Sequence, residues 1–180
     1  MHALNMLEYG HQMVLDTVTK VEPGLAGMPG ACGEWSIKDI VAHLASFEAL
    51  ILDAIASLTP GGATPVLDRF LAGADAYNNA EVAWRRQYTL DQIMAEYNAL
   101  HATVIDRLIR IAPEKLRENG VFAWYGADYD LDDFLVYTAY AHKREHCAQI
   151  AAFADYHAAK NTPLVSPRKL NQGEASLVWC

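Results

Sequence analysis

Four separate stretches of the chain repeat apolar residues three and four apart, and each is bounded by proline, glycine or a helix-capping residue. A segment with that period has one stripe that it can bury only against another helix, so the pattern predicts an all-α four-helix bundle. The first stretch runs from about His2 to Lys20 through Leu4, Leu7, His11, Val14 and Val18, and stops at Pro23-Gly24. The second opens at Ser36, with Asp39 completing a capping box in its shorter-acid form, and continues to Leu58 before Pro60-Gly61-Gly62. Thr89 and Gln92 make a second capping box, opening a third helix through Ile93, Tyr97, Leu100, Val104 and Leu108 towards Pro113. After a loop with Phe122, Trp124 and Tyr125, Asp130 is the expected N-cap of a fourth helix from Leu131 to about Tyr156. Residues 63–88 read as less regular, with a short helix around Asn79 to Arg86, and no β-hairpin signal of comparable quality is present.

These boundaries place one domain at residues 1–158 and an extended tail at 159–180, where Pro163, Pro167 and Gly173 interrupt any period. The end of the tail, Leu177-Val178-Trp179-Cys180, is apolar enough to pack on the bundle or on a partner subunit. A length of 180 residues with 52% hydrophobic side chains is enough for one sizeable core. A net charge of −8 argues against nucleic acid or an anionic membrane as a partner, because phosphate binding draws on Lys and Arg. Asp53 interrupts the most apolar run, Ala49 to Leu58, well short of a membrane span, and the N-terminus lacks a charged-then-apolar leader, so a cytoplasmic protein is expected. Cys32, Cys147 and Cys180 are too dispersed for a disulfide framework or a cysteine zinc site.

Chemistry concentrates in the histidines. His142 and His146 are four apart and therefore lie one turn apart on one face of a helix, while His43 lies in Trp35-Ser36-Ile37-Lys38-Asp39-Ile40-Val41-Ala42-His43-Leu44. Two imidazoles from one helix and one from another can hold a metal ion and leave a coordination position for water or substrate. The spacing does not fit the H-E-x-x-H protease pattern, because Lys143 follows His142. Gly33-Glu34-Trp35-Ser36 through His43-Leu44, followed by Tyr140-Ala141-His142-Lys143-Arg144-Glu145-His146-Cys147-Ala148-Gln149-Ile150, resembles the DinB/YfiT-like superfamily of four-helix-bundle metalloenzymes over residues 1 to about 158. The resemblance implies an up-down-down-up bundle with a long crossover between the second and third helices, and His43, His142 and His146 as metal ligands. It further implies a divalent ion such as Zn, Ni or Fe, use of a low-molecular-weight thiol by some relatives, and homodimers.

At 100° per residue, Leu135, Thr138, His142, His146, Gln149 and Phe153 share one sector of the fourth helix, which turns the histidines inward and Cys147 well away from them. His43 falls at the edge of its apolar arc, whereas Glu48 falls inside it beside Val41, Leu44, Ile51 and Ile55. A carboxylate there must be ion-paired, protonated or functional, so Glu48 is both a candidate general base and a candidate internal salt bridge. His11 is a reserve ligand, His101 a core histidine, and Glu145 a surface residue. Trp35 is expected to anchor the start of its helix, and Trp124 and Tyr125 to line a pocket mouth or cover the bundle end. The function expected is a metal-dependent transferase or hydrolase acting on a small electrophile, and the alternative is a non-catalytic metal- or ligand-binding stress-response protein of the same fold.

Overall fold

The computed structural model describes residues 3–161, and the expectations for the far C-terminal tail lie outside the described residues. Helix α1 spans Ala3–Val18 and α2 spans Ile37–Ala56; α3 (Pro65–Ala72) and α4 (Ala74–Arg85) form a crossover to α5 (Leu90–Leu108). After the short α6 (Pro113–Leu116), the last bundle helix is assembled from α7 (Leu131–Phe134), a π-helical stretch (Leu135–Ala141) and α8 (His142–Asn161). All three anticipated N-caps form. Ser36 and Asp39 exchange bonds at 3.0 and 3.1 Å, Thr89 and Gln92 at 2.9 and 3.2 Å, and Asp130 and Asp133 at 3.3 and 2.7 Å. Each reciprocal pair satisfies two amide donors that a helix start would otherwise leave open.

Side-chain contacts fix the helix directions. Lys38 at the start of α2 donates to the carbonyls of Arg86 and Tyr88 just before α5, and Glu48 further along α2 meets His101 further along α5, so these helices run parallel. Tyr9 meets Tyr140 and Thr17 meets Cys147, so α1 runs parallel to the last helix. His43 meets His146 while the later Glu48 meets the earlier Lys143, so α2 and α8 are antiparallel. The bundle is therefore up-down-down-up, which requires the long crossover. Two apolar clusters fill it, one around Leu7, Ile51, Val104, Leu108 and Phe134, the other around Val14, Ile40, Leu44, Ile93 and Ile150.

Three local features depart from the expected pattern. Residues 63–88 hold two helices, because Pro65 starts α3 at a position where its missing N–H costs nothing and Gly73 separates α3 from α4. Their weak apolar period is compensated by directed contacts. The Tyr77 hydroxyl donates to the Ser46 carbonyl at 2.9 Å, and buried Arg85 pairs with Glu81 and Glu96, both at 2.7 Å. Pro29–Cys32 and Trp35–Ser36 form a small antiparallel hairpin, β1 and β2, with Gly33 taking φ +58° at its two-residue turn. The third departure is the π-helical stretch. Its i→i+5 bonding accommodates more residues per turn than the α-helical period used for the sequence reading. The core stripe consequently passes through Leu135, Ala139, Lys143, His146, Cys147 and Ile150, with Lys143 where an α-helical projection puts His142.

Trp124 and Tyr125 pack with Phe122 and Phe134 at ring separations of 5.2–5.6 Å and cover the bundle end. Glu48 is fully buried against Lys143 at 2.5 Å and His101 at 3.4 Å. His101 in turn stacks on His11 at 3.9 Å, and Tyr97 also stacks on His11 at 4.8 Å.

Thr89→Ala should lower the unfolding free energy by about 1 kcal/mol, measured by urea titration, and leave metal uptake unchanged. A second outcome concerns acid. Burial, then the neighbouring His101 and Lys143, lower His11 from 6.5 to about 4 against the opposing pull of Glu48. Between these two values the unfolded chain binds a proton that the folded chain excludes, so stability falls as pH drops from about 6.5 towards 4. The urea midpoint should follow that slope, and His11→Phe should make it shallower.

Candidate metal centre

The site joins the middle of α2 to the start of α8. His43 Nε2 and His142 Nε2 are 2.9 Å apart, and His142 Nε2 and His146 Nε2 are also 2.9 Å apart. All three candidate ligand atoms lie within 4.8 Å of one another, on the scale of two metal–nitrogen bonds of ~2.0–2.1 Å. His43 is 4% and His146 6% exposed, whereas His142 is half-buried and carries the site's open edge. His11 belongs to the separate stack on His101.

The rings are held from behind. Gln149 accepts from His146 Nδ1 at 2.8 Å, which leaves the Nε2 lone pair facing the other two imidazoles. Trp35 lies against His43 at 4.9 Å, fixing the ring as well as anchoring the helix start. Phe47 packs on His43 at 4.7 Å and on His142 at 4.3 Å, and is itself backed by Phe70 of α3, which rests on Tyr77 of α4. The crossover thus reaches the site through a chain of rings. Gln149 was legible as a polar neighbour one turn beyond His146; Phe47 gave no signal distinct from an ordinary core aromatic.

Electrostatics favour neutral imidazoles. Burial, followed by the charge of His146, lowers His43 from 6.5 to about 3. Burial also lowers His142, reinforced by His43, His146 and Lys143, and lowers His146 against the raising effects of Gln149 and Glu145. Neutral imidazole is the form that ligates. The donor set also fits an ion for a geometric reason. With His146 Nδ1–H committed to Gln149, two short nitrogen–nitrogen contacts converge on His142 Nε2, and that atom carries at most one proton with which to serve them. A cation accepts all the converging lone pairs at once. Beside His142, a groove of about 760 Å³ is lined by Phe47, Tyr137, Thr138, Arg144 and Glu145 among others.

A profile of the DinB superfamily matches residues 6–150, which include every residue of this centre. The chain belongs to the DinB superfamily. No curated protein and no solved structure matches it. Within this DinB bundle, the three histidines stand where one metal ion can be held, and the match covers α2 and the first part of α8, which carry them. No helix among the described residues is long and apolar enough to cross a membrane.

Cys147, expected away from the histidine face as a structural thiol, is buried in the core beside Thr17, its thiol pushed up by burial. Thr138, expected beside the histidines, lines the groove at His142. Glu145 is exposed, as a surface residue should be, and also borders the groove.

Elemental analysis of protein expressed in metal-supplemented medium should give about one divalent ion per chain, and His142→Ala or His146→Ala should remove it with helical circular dichroism retained. Gln149→Leu should weaken metal affinity by about 10- to 100-fold, measured by competition with a chromophoric chelator.

Proposed function

We propose that the protein is a divalent-metal-dependent transferase or hydrolase that acts on a small electrophilic molecule. The observation that carries this reading is the convergence of three neutral histidines whose one accessible edge, at His142, opens onto a groove. An ion bound by three imidazoles supplies Lewis-acid polarisation and lowers the pKa of a coordinated water or thiol.

The chain's own residues supply the rest. His43, His142 and His146 would hold the ion, and His142 borders the groove. Gln149 keeps the His146 proton on Nδ1. Trp35 and Phe47 shield the buried side of the imidazoles from water and hold their planes. Phe47 and Tyr137 offer apolar surface to a substrate, while Arg144 and Glu145 offer one cation and one anion at the rim. That lining suits a small molecule with both apolar and charged parts, and a low-molecular-weight thiol of the kind used by some relatives is the cosubstrate we propose. The absence of a spanning helix among the described residues supports work in the cytoplasm.

The test is a panel of small electrophiles, assayed with and without added thiols on metal-loaded protein. A rate should emerge that is lost on chelation and returns on re-addition of zinc, nickel or ferrous iron. Removing the ligand His142 should reduce it to the level of the metal-free protein. Stoichiometric metal with no turnover across the panel would favour the alternative of a non-catalytic metal- or ligand-binding protein.

A further inference from the structure

The Lys143–Glu48 ion pair occupies a place that the metal centre does not account for. Lys143 is 2% and Glu48 0% exposed, and Nζ and Oε1 are 2.5 Å apart. Glu48 follows His43 by five residues on α2, and Lys143 lies between His142 and His146 on α8, so the pair joins the two helices that supply all three ligands. Lys143 also directly follows His142, where the π-helical stretch Leu135–Ala141 gives way to α-helix. Its stem runs past Gly10 of α1, where a Cβ would lie 3.4 Å from Lys143 Cδ and 3.2 Å from Tyr140 Cδ2. The ammonium therefore reaches the core through a gap left by a glycine, and lies 5.6 Å from the centre of the Tyr97 ring.

A π-helical stretch has weaker local support than the α-helix it interrupts, and it persists where tertiary contacts hold it. Its effect is to turn α8 about its axis. Were Leu135–Ala141 to bond as α-helix, His142 would take the core line and Lys143 would leave it. The contact that blocks this rotation is the buried ion pair, because turning Lys143 outward would strand the Glu48 carboxylate without its cation, and among the described residues its one other charged or hydrogen-bonding partner is His101 at 3.4 Å.

We infer that Glu48 and Lys143 are positioning residues: their ion pair holds the π-helical register that aims His142 and His146 at His43 while keeping His142 open to the groove. The inference rests on the metal reading proposed above. It assigns Glu48 to setting ligand geometry from behind the centre rather than to proton transfer.

Cobalt(II) serves as the probe, since its visible bands report ligand geometry. Removing both charges together with Glu48→Gln and Lys143→Met leaves no stranded ion in the core, and Glu48→Asp provides a second variant that keeps the charge on a shorter arm. The double variant should remain helical by circular dichroism, bind cobalt at least about 10-fold more weakly than the unaltered protein, and show an altered band pattern. Glu48→Asp should fall between them. In the metal-free proteins, backbone carbon shifts and amide-exchange protection over residues 135–143 should change in the double variant. Unchanged cobalt affinity and bands in a folded double variant overturn the inference. Failure of the unaltered protein to bind cobalt overturns the metal reading instead, and the metal-free measurement then decides the register claim, with unchanged signals over residues 135–143 refuting it.

Discussion

A lysine ammonium and a glutamate carboxylate withdrawn from water must face each other, and this requirement sets how α2 and α8 meet. Each charge alone in the core would carry an uncompensated desolvation penalty of several kcal/mol. At 2.5 Å the pair satisfies its mutual attraction only for one relative rotation and one axial level of the two helices. The same level brings His43 opposite His142 and His146. The polar and apolar parts of the interface therefore agree, with Leu44 and Ile150 packed in one cluster and Ile51 and Leu135 in the other on either side of the charged layer.

The layer extends beyond one pair. His101 reaches Glu48, His11 stacks on His101, and Tyr97 closes the stack, so α1, α2, α5 and α8 each contribute a polar or aromatic group at mid-height. An all-apolar bundle of this topology could slide by a turn with modest loss, whereas a buried polar layer penalises every register but one, because each shift leaves donors or charges unmatched. The two apolar clusters supply the driving force for collapse. The polar layer between them selects among collapsed arrangements.

How much of this could be read from the residues differed by kind of signal. Helix starts were legible because a capping box is a local motif, complete within four residues, and Ser36, Thr89 and Asp130 all cap as their spacing suggested. The three-histidine cluster was legible because its members come as a helical pair plus one partner in a recurrent order. The burial of Glu48 was legible from its rotation, but its partner was not. Lys143 projects one ~100° step from His142, to the flank of the inward sector, and the π-helical stretch, which depends on tertiary contacts and leaves no mark in a local period, turns it onto the core line. The α3–α4 crossover was missed in part for a related reason: its stability rests on Tyr77 with Ser46 and on Arg85 with two carboxylates, long-range polar contacts in place of an apolar stripe.

The helix that closes the bundle also carries two of the three clustered histidines, so the cluster depends on the part of the bundle made last. Contacts join α1 to the last bundle helix at Tyr9 and Tyr140, and those between α2 and α8 span 99 residues at His43 and His142. Contacts of this sequence separation cost more loop-closure entropy than nearer pairings such as α2 with α5. During synthesis the first three bundle helices and the crossover can associate while His43 still lacks its partners. The three-histidine cluster is thus complete only once α8 has docked. An ion held by all three histidines would, by mass action, stabilise the closed state alone and act as a latch on the last helix to dock.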